Sequence, residues 1–80
     1  MRVKIFVSLK GGVLDPQGKA IEGSLHTLGY AEVQDVRMGK YLEFNVEASS
    51  REAVESRIRE MCEKLLANPV IEDYRFEIEG

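Results

Sequence analysis

The sequence predicts an α+β fold with the element order βαββαβ. Three observations predict it: strand-like alternation near both ends of the chain, two amphipathic helical stretches, and a glycine-containing turn near the middle. Right-handed crossovers give this order the ferredoxin-like arrangement, a four-stranded antiparallel sheet of order 4-1-3-2 with two helices on one face. The length of 80 residues indicates a single domain, residues 1–80.

The first predicted strand spans residues 2–10, where apolar and polar side chains alternate. Its apolar face consists of Val3, Ile5, Val7 and Leu9. Phe6 is the one apolar residue on the opposite face. The pattern indicates a strand with one buried face.

The stretch 10–18 joins this strand to a helix that begins at Asp15-Pro16. An aspartate at the N-cap accepts hydrogen bonds from the first turn, and proline suits the next position. Gly11 and Gly12 allow a sharp turn just upstream. No lysine followed by serine or threonine ends the glycine run, so it is not a phosphate-binding P-loop. We interpret the stretch as fold-making, with a partner contact as the alternative.

The first predicted helix spans residues 16–28 and ends before Gly29. Two glycines lie inside it, at a cost of about 1 kcal/mol each relative to alanine. Gly23 falls on the outer face, where it is either an unoptimised surface position or a place for close approach of a partner. The buried stripe is predicted to consist of Ile21, Leu25 and Leu28.

The middle of the chain predicts two strands, 31–38 and 41–47, joined by a hairpin turn at Gly39-Lys40. Leu42 lies on the apolar face of the second of these. A two-residue turn puts the apolar residues of the preceding strand on the other face, whereas a bulge or longer loop turns them toward the core. In the first case the sheet has an exposed apolar surface that calls for a partner. This candidate homo-oligomer face consists of Phe6, Val36, Met38 and Tyr41.

A capping box, with Ser49 as N-cap and Glu52 three residues later, begins the second predicted helix. The helix ends before Pro69, and a last strand spans residues 70–79. The buried stripe of the helix is predicted to be Val54, Ile58, Met61, Cys62 and Leu65.

Composition excludes several classes of function. The net charge of −3 and the pI near 5.1 count against nucleic-acid binding. No apolar run has membrane length, and a cytoplasmic location is the default expectation. Cys62 is the only cysteine, so neither an intrachain disulfide nor a cysteine-based metal site is expected. His26 stands alone on a polar helix face. We therefore predict no catalytic, cofactor-binding or metal-binding residues in this chain.

Three segments together carry a resemblance to a known family. They are VLDPQGKA at residues 13–20, VRMGK at 36–40 and MCEKLLANPVIEDY at 61–74. With their spacing, they resemble PurS, the small subunit of phosphoribosylformylglycinamidine synthase in purine biosynthesis. The resemblance covers essentially the whole chain.

The resemblance implies a non-catalytic adaptor that bridges a large ATP-dependent synthetase subunit and a glutaminase subunit. The complex uses glutamine-derived ammonia to convert formylglycinamide ribonucleotide to its amidine, with ATP, Mg and glutamine bound by the other subunits. It also implies a homo-oligomer, a dimer or tetramer. On the motif-bearing loops we expect partner contacts at Lys10, Asp15, Gln17, Arg37 and Lys40.

Two rival functions remain open at the level of sequence. The main rival is a free-standing small-molecule-binding regulatory domain of ferredoxin-like topology. The other is a small enzyme whose site has no recognisable pattern.

Overall fold

The computed structural model describes residues 1–80 and contains one antiparallel sheet and two helices. The strands are β1 (Arg2–Leu9), β2 (Gly39–Asn45) and β3 (Glu72–Glu79). The helices are α1 (Pro16–Thr27) and α2 (Arg51–Met61), and α2 continues as a π-helical turn over Cys62–Leu66. β1 lies in the centre and pairs with both other strands, giving the order β2-β1-β3.

The core lies between one face of the sheet and α2. The alternation predicted for the first strand is confirmed, because its residues at positions 3, 5 and 7 are buried. Burying each such side chain contributes about 1.5–3 kcal/mol. The complete cluster consists of Val3, Ile5, Val7, Val54, Ile58, Cys62, Ala67 and Ile78.

The predicted second strand is wrong, so the sheet has three strands and not the four of the order 4-1-3-2. Residues 31–38 form no strand, and Gly39-Lys40 is not a hairpin turn but the start of β2. The physical reason is that side chains, and not a neighbouring strand, accept hydrogen bonds from the backbone of this segment. The N–H groups of Val36 and Met38 donate to carboxylates of α1 and its cap. Asp35 adopts a left-handed φ of 56°, which a strand does not tolerate.

The expectation of two helices on one face is also not met. Only Gly18 of α1 is buried, and no side chain of α1 belongs to the core cluster or packs against it. Together, α1 and the return segment 28–38 form a projection that we call the arm. The radius of gyration is 16.1 Å, against about 12 Å for a compact chain of this length. The arm makes the chain long and thin, 51 × 26 × 14 Å.

The ends of α2 differ from the prediction in two ways. The N-cap is Ser50 and not Ser49, because the Ser50 Oγ accepts a hydrogen bond of 3.2 Å from the N–H of Ala53. At the other end, the N–H of Ala67 donates to the carbonyl of Cys62 five residues earlier. The wider π turn rotates the following side chains. Leu65, predicted on the buried stripe, is therefore 81% exposed.

Neither helix has the length and apolar content needed to cross a membrane.

Candidate functional site

The candidate site is the junction between the arm and the sheet, where the three motif segments meet. All five residues expected to contact partners lie at or beside this junction, although they come from separate parts of the sequence. A cavity of about 290 Å³ opens there. Its lining includes Leu9, Asp15, Gln17, Met38, Gly39, Lys40 and Glu72.

Asp15 is the centre of the junction and is only 4% exposed. One carboxylate oxygen accepts the N–H of Gly18 at 2.9 Å, which caps α1 as the sequence predicts. The other accepts the N–H of Met38 at 2.7 Å. One side chain thus caps the helix and also holds the return segment where it enters β2.

Arg37 closes the glycine turn before α1. Its guanidinium donates to the carbonyls of Val13 at 3.0 Å and Lys10 at 3.2 Å. Its Nε lies 3.9 Å from a carboxylate oxygen of Asp15. Gly12 within the turn has a φ of 85°, which favours glycine. The second motif therefore holds the first in place through hydrogen bonds to its backbone.

Lys40 connects the second motif to the third. Its ammonium donates to the carbonyl of Leu66 at 3.1 Å and lies 3.7 Å from the carboxylate of Glu72. The backbone of Lys10 reaches the same region, because its N–H donates to the carbonyl of Ile71 at 2.8 Å. These bonds join the end of the π turn, the start of β3 and the end of β1.

Gly18 allows α1 to lie directly against the return segment. A Cβ at this position would overlap the carbonyl oxygen of Val36 and lie 3.0 Å from the carboxyl group of Asp15. One turn later, the Glu22 carboxylate accepts the N–H of Val36 at 3.1 Å. Farther along, His26 Nε2 donates to the carbonyl of Val33 at 2.7 Å. We call these arm contacts, with the bonds of Asp15, the clasp.

Sequence reasoning missed the roles of Gly18 and Glu22. The one available signal was the position of Gly18, a helix-interior glycine three residues after an aspartate cap. A glycine that weakens a helix indicates that some neighbour must come close. The neighbour itself is 18 residues away in the sequence and could not be read from the pattern.

The candidate side chains of the junction differ in how far the chain itself engages them. Four of the five candidate side chains are engaged within the chain, and Gln17 is exposed and makes no hydrogen bond. Burial raises the pKa of the Cys62 thiol, which disfavours the reactive thiolate. No cluster of three His, Cys, Asp or Glu side chains is placed to hold a metal ion. The side-chain contacts of the junction hold the backbone of three segments together.

The structure divides the candidate homo-oligomer face between two places. Phe6 and Tyr41 pack in a tilted arrangement on the outer face of the sheet with ring centroids 4.9 Å apart, and the Arg75 guanidinium lies 3.9 Å from the centroid of the Phe6 ring. Val36 is half-buried in the arm, and Met38 lines the junction cavity.

The ionisation of Asp15 gives a pH dependence. The hydrogen bonds from Gly18 and Met38, with the nearby Arg37, hold the pKa of Asp15 below its ordinary value of 3.8. The ionised Asp15 carboxylate therefore contributes its full stabilisation of the fold above about pH 4, and this contribution is lost as the pH falls through the folded-state pKa of Asp15. We expect urea unfolding between pH 2.5 and 6 to show an acid-induced loss of stability that Asp15→Asn reduces. Equal pH slopes in the two proteins would contradict this assignment.

Comparison with known proteins gives a consistent result. The family model described as PurS, phosphoribosylformylglycinamidine (FGAM) synthase, matches residues 2–80. The chain is 59% identical over 78 residues to the synthase subunit PurS of Bacillus subtilis, covering 98% of this chain and 92% of that protein. The Synechocystis subunit PurS is 47% identical over 75 residues, covering 94% and 75%.

Solved structures show the same similarity in three dimensions. A B. subtilis PurS structure is 58% identical, with a TM-score of 0.89, and the match covers 99% of this chain and 98% of that one. A chain in the structure of PurLQS from Thermotoga maritima is 34% identical, with a TM-score of 0.87 and coverage of 95% and 93%.

Proposed function

Because this chain belongs to the PurS family of phosphoribosylformylglycinamidine synthase subunits, we propose that it is the non-catalytic adaptor of that synthase. In this role it bridges the ATP-dependent synthetase subunit and the glutaminase subunit in purine biosynthesis. The observation that carries the proposal is the junction, where three motif segments are used to fix the backbone and none supplies a reactive group.

A fixed adaptor has a clear physical use in such a complex. Ammonia released from glutamine reaches the synthetase only if the two active sites are held in register. In our proposal, ATP, Mg and glutamine bind the other subunits, and this chain binds no cofactor. The product is formylglycinamidine ribonucleotide, made from formylglycinamide ribonucleotide. We place the complex in the cytoplasm.

We assign the contacts with the two larger subunits to the outer surface of the junction. Gln17 is the best-suited contact, because it is exposed and has no partner within the chain. Leu14 beside it is 72% exposed. In this assignment Lys10, Arg37 and Lys40 present their exposed parts, and Asp15 supports the surface from inside.

Gln17→Arg tests this assignment. We expect the variant to keep its fold and to weaken assembly with the two larger subunits about tenfold or more, because an added charge at an interface loses solvation without gaining a partner. Gel filtration and sedimentation with both subunits, glutamine and Mg-nucleotide measure the effect. Arg37→Glu is a poorer test, since Arg37 also holds the glycine turn.

Gln34→Arg is the matched control, with the same chemical change at an exposed position of the arm away from the junction. It should assemble normally. Equal assembly of both variants would remove Gln17 from the interface.

The regulatory alternative is not favoured, because the similar proteins are named as synthase subunits. The regulatory alternative would require that a small ligand stabilise the isolated chain against unfolding. We further propose that the chain forms a homo-oligomer, a dimer or tetramer, as expected from the family.

A further inference from the structure

Leu14 is a large apolar residue that the chain leaves in solvent, although the backbone on both sides of it is held in place. The residue is 72% exposed. On one side, the carbonyl of Val13 accepts a hydrogen bond of 3.0 Å from the Arg37 guanidinium. On the other side, the buried Asp15 caps α1. The leucine is therefore presented to solvent by a fixed turn.

The position of Leu14 explains why nothing in the chain covers it. It directly precedes the N-cap of α1, where an apolar residue commonly packs against the fourth residue of the helix. With Pro16 as the first helical residue, the fourth is Lys19, which does not supply the usual apolar side chain. Leu14 is also absent from the residues that pack on the core cluster. The turn thus carries an apolar side chain whose usual partner within the chain is missing.

An exposed leucine on a fixed backbone is suited to anchor an interface. Burial of an apolar side chain favours association, and less conformational entropy is lost where the backbone is already ordered. A few buried side chains near the centre of an interface commonly carry most of the binding energy, with polar groups around them. Gln17 is exposed in the first turn of α1, and the side chain of Arg37 is 40% exposed. Leu14 and its polar neighbours have this arrangement.

The surroundings of Leu14 favour a different protein as its partner over a second copy of this chain. A protruding side chain needs a recess in its partner, and in a two-fold symmetric contact the same patch supplies both. The cavity beside Leu14 has a volume of about 270 Å³, but most of the residues that line it are charged. They include Lys19, Glu22, Asp35 and Arg37. Because such a recess does not match a leucine, the matching apolar recess belongs to another protein.

We propose that Leu14 is the apolar anchor of the contact with one of the two larger synthase subunits, and that it inserts into an apolar pocket of that subunit. The assignment rests on the adaptor role proposed above and adds the chemistry of the partner surface. Asp15 and Arg37 then act as positioning residues, because they fix the turn that carries Leu14.

Leu14→Asn tests the anchor, since asparagine is similar in size to leucine but carries a polar amide. Leu14 is exposed, so the variant should keep its stability toward urea. We expect its assembly with the two larger subunits, measured by sedimentation over a dilution series, to weaken about tenfold or more. Leu14→Met keeps an apolar side chain of similar volume and should assemble within about threefold of the wild type.

Val70→Thr is the matched control, because it makes a similar apolar-to-polar change at another residue that is 82% exposed. It should assemble like the wild type. Equal weakening by Val70→Thr and Leu14→Asn would overturn the anchor. The anchor would also be overturned if Leu14→Asn lost self-association and kept normal assembly with the larger subunits, because a second copy would then cover Leu14.

The same titrations separate this inference from the adaptor role. If the wild type and Leu14→Asn assemble equally well with the larger subunits, only the anchor is wrong. A wild-type chain that never assembles with them would disprove the adaptor role, and the anchor with it.

Discussion

Replacing Gly18 by alanine is expected to destabilise the arm, although alanine is the better helix former. The new methyl group would meet the carbonyl oxygen of Val36 and the carboxyl group of Asp15. Neither can move freely, because one is backbone and the other is held by two hydrogen bonds. We expect the free energy of unfolding to fall by about 2 kcal/mol or more, near the upper range for overpacking. Urea unfolding monitored by circular dichroism measures it.

Gly23→Ala in the same helix is the control for this prediction. An added Cβ at Gly23 has nothing within 4 Å, so the substitution should stabilise the protein by up to about 1 kcal/mol. Alanine substitution at the two glycines is therefore expected to change the free energy of unfolding in opposite directions. Similar gains at both positions would show that α1 does not lie against the Val36 carbonyl.

Replacing Asp15 by alanine should have the second large effect. A typical helix cap contributes about 1 kcal/mol. Asp15 does more than cap, since it also accepts the N–H of Met38 from 23 residues away. The substitution leaves that donor and the N–H of Gly18 without acceptors, and an unpaired buried donor costs about 1–3 kcal/mol. The loss of stability should clearly exceed that of a cap alone, and hydrogen exchange should increase in both α1 and the return segment.

Ser50→Ala supplies the comparison, because Ser50 caps α2 through a single hydrogen bond. This variant should show the loss of stability that is ordinary for a helix cap, with faster hydrogen exchange confined to the first turn of α2. If the two substitutions destabilised the protein equally, the bond from Met38 would contribute nothing.

Local patterns in the sequence predicted much of the fold. The alternation of β1 and the Asp15-Pro16 start of α1 were both correct, since each depends only on neighbouring residues. The pairings of β1 with the two other strands were also as expected. The pattern could not show what packs against each apolar surface. An amphipathic helix predicts a covered face, but it does not say which chain covers it.

The wrongly predicted strand has its cause in long-range contacts. Residues 31–38 resembled a strand because they carry apolar residues between polar ones. The N–H groups of Val36 and Met38 in this segment instead donate to Glu22 and Asp15, which lie 14 and 23 residues away from the donors. The error at Leu65 has a local cause, since Leu65 fits a regular helical stripe and the π turn moves it out. The sequence predicted the five candidate contact residues one by one, but it did not predict that they would lie together at one junction.

The central position of β1 leaves both β2 and β3 as sheet edges. An open edge presents unpaired N–H and C=O groups, which invite uncontrolled strand addition and aggregation. β3 opposes this through its composition, since five of its eight residues are charged. A strand from another molecule that paired with β3 would have to place its own side chains beside those charges. The charged side chains of β3 thus oppose unwanted strand pairing along that edge.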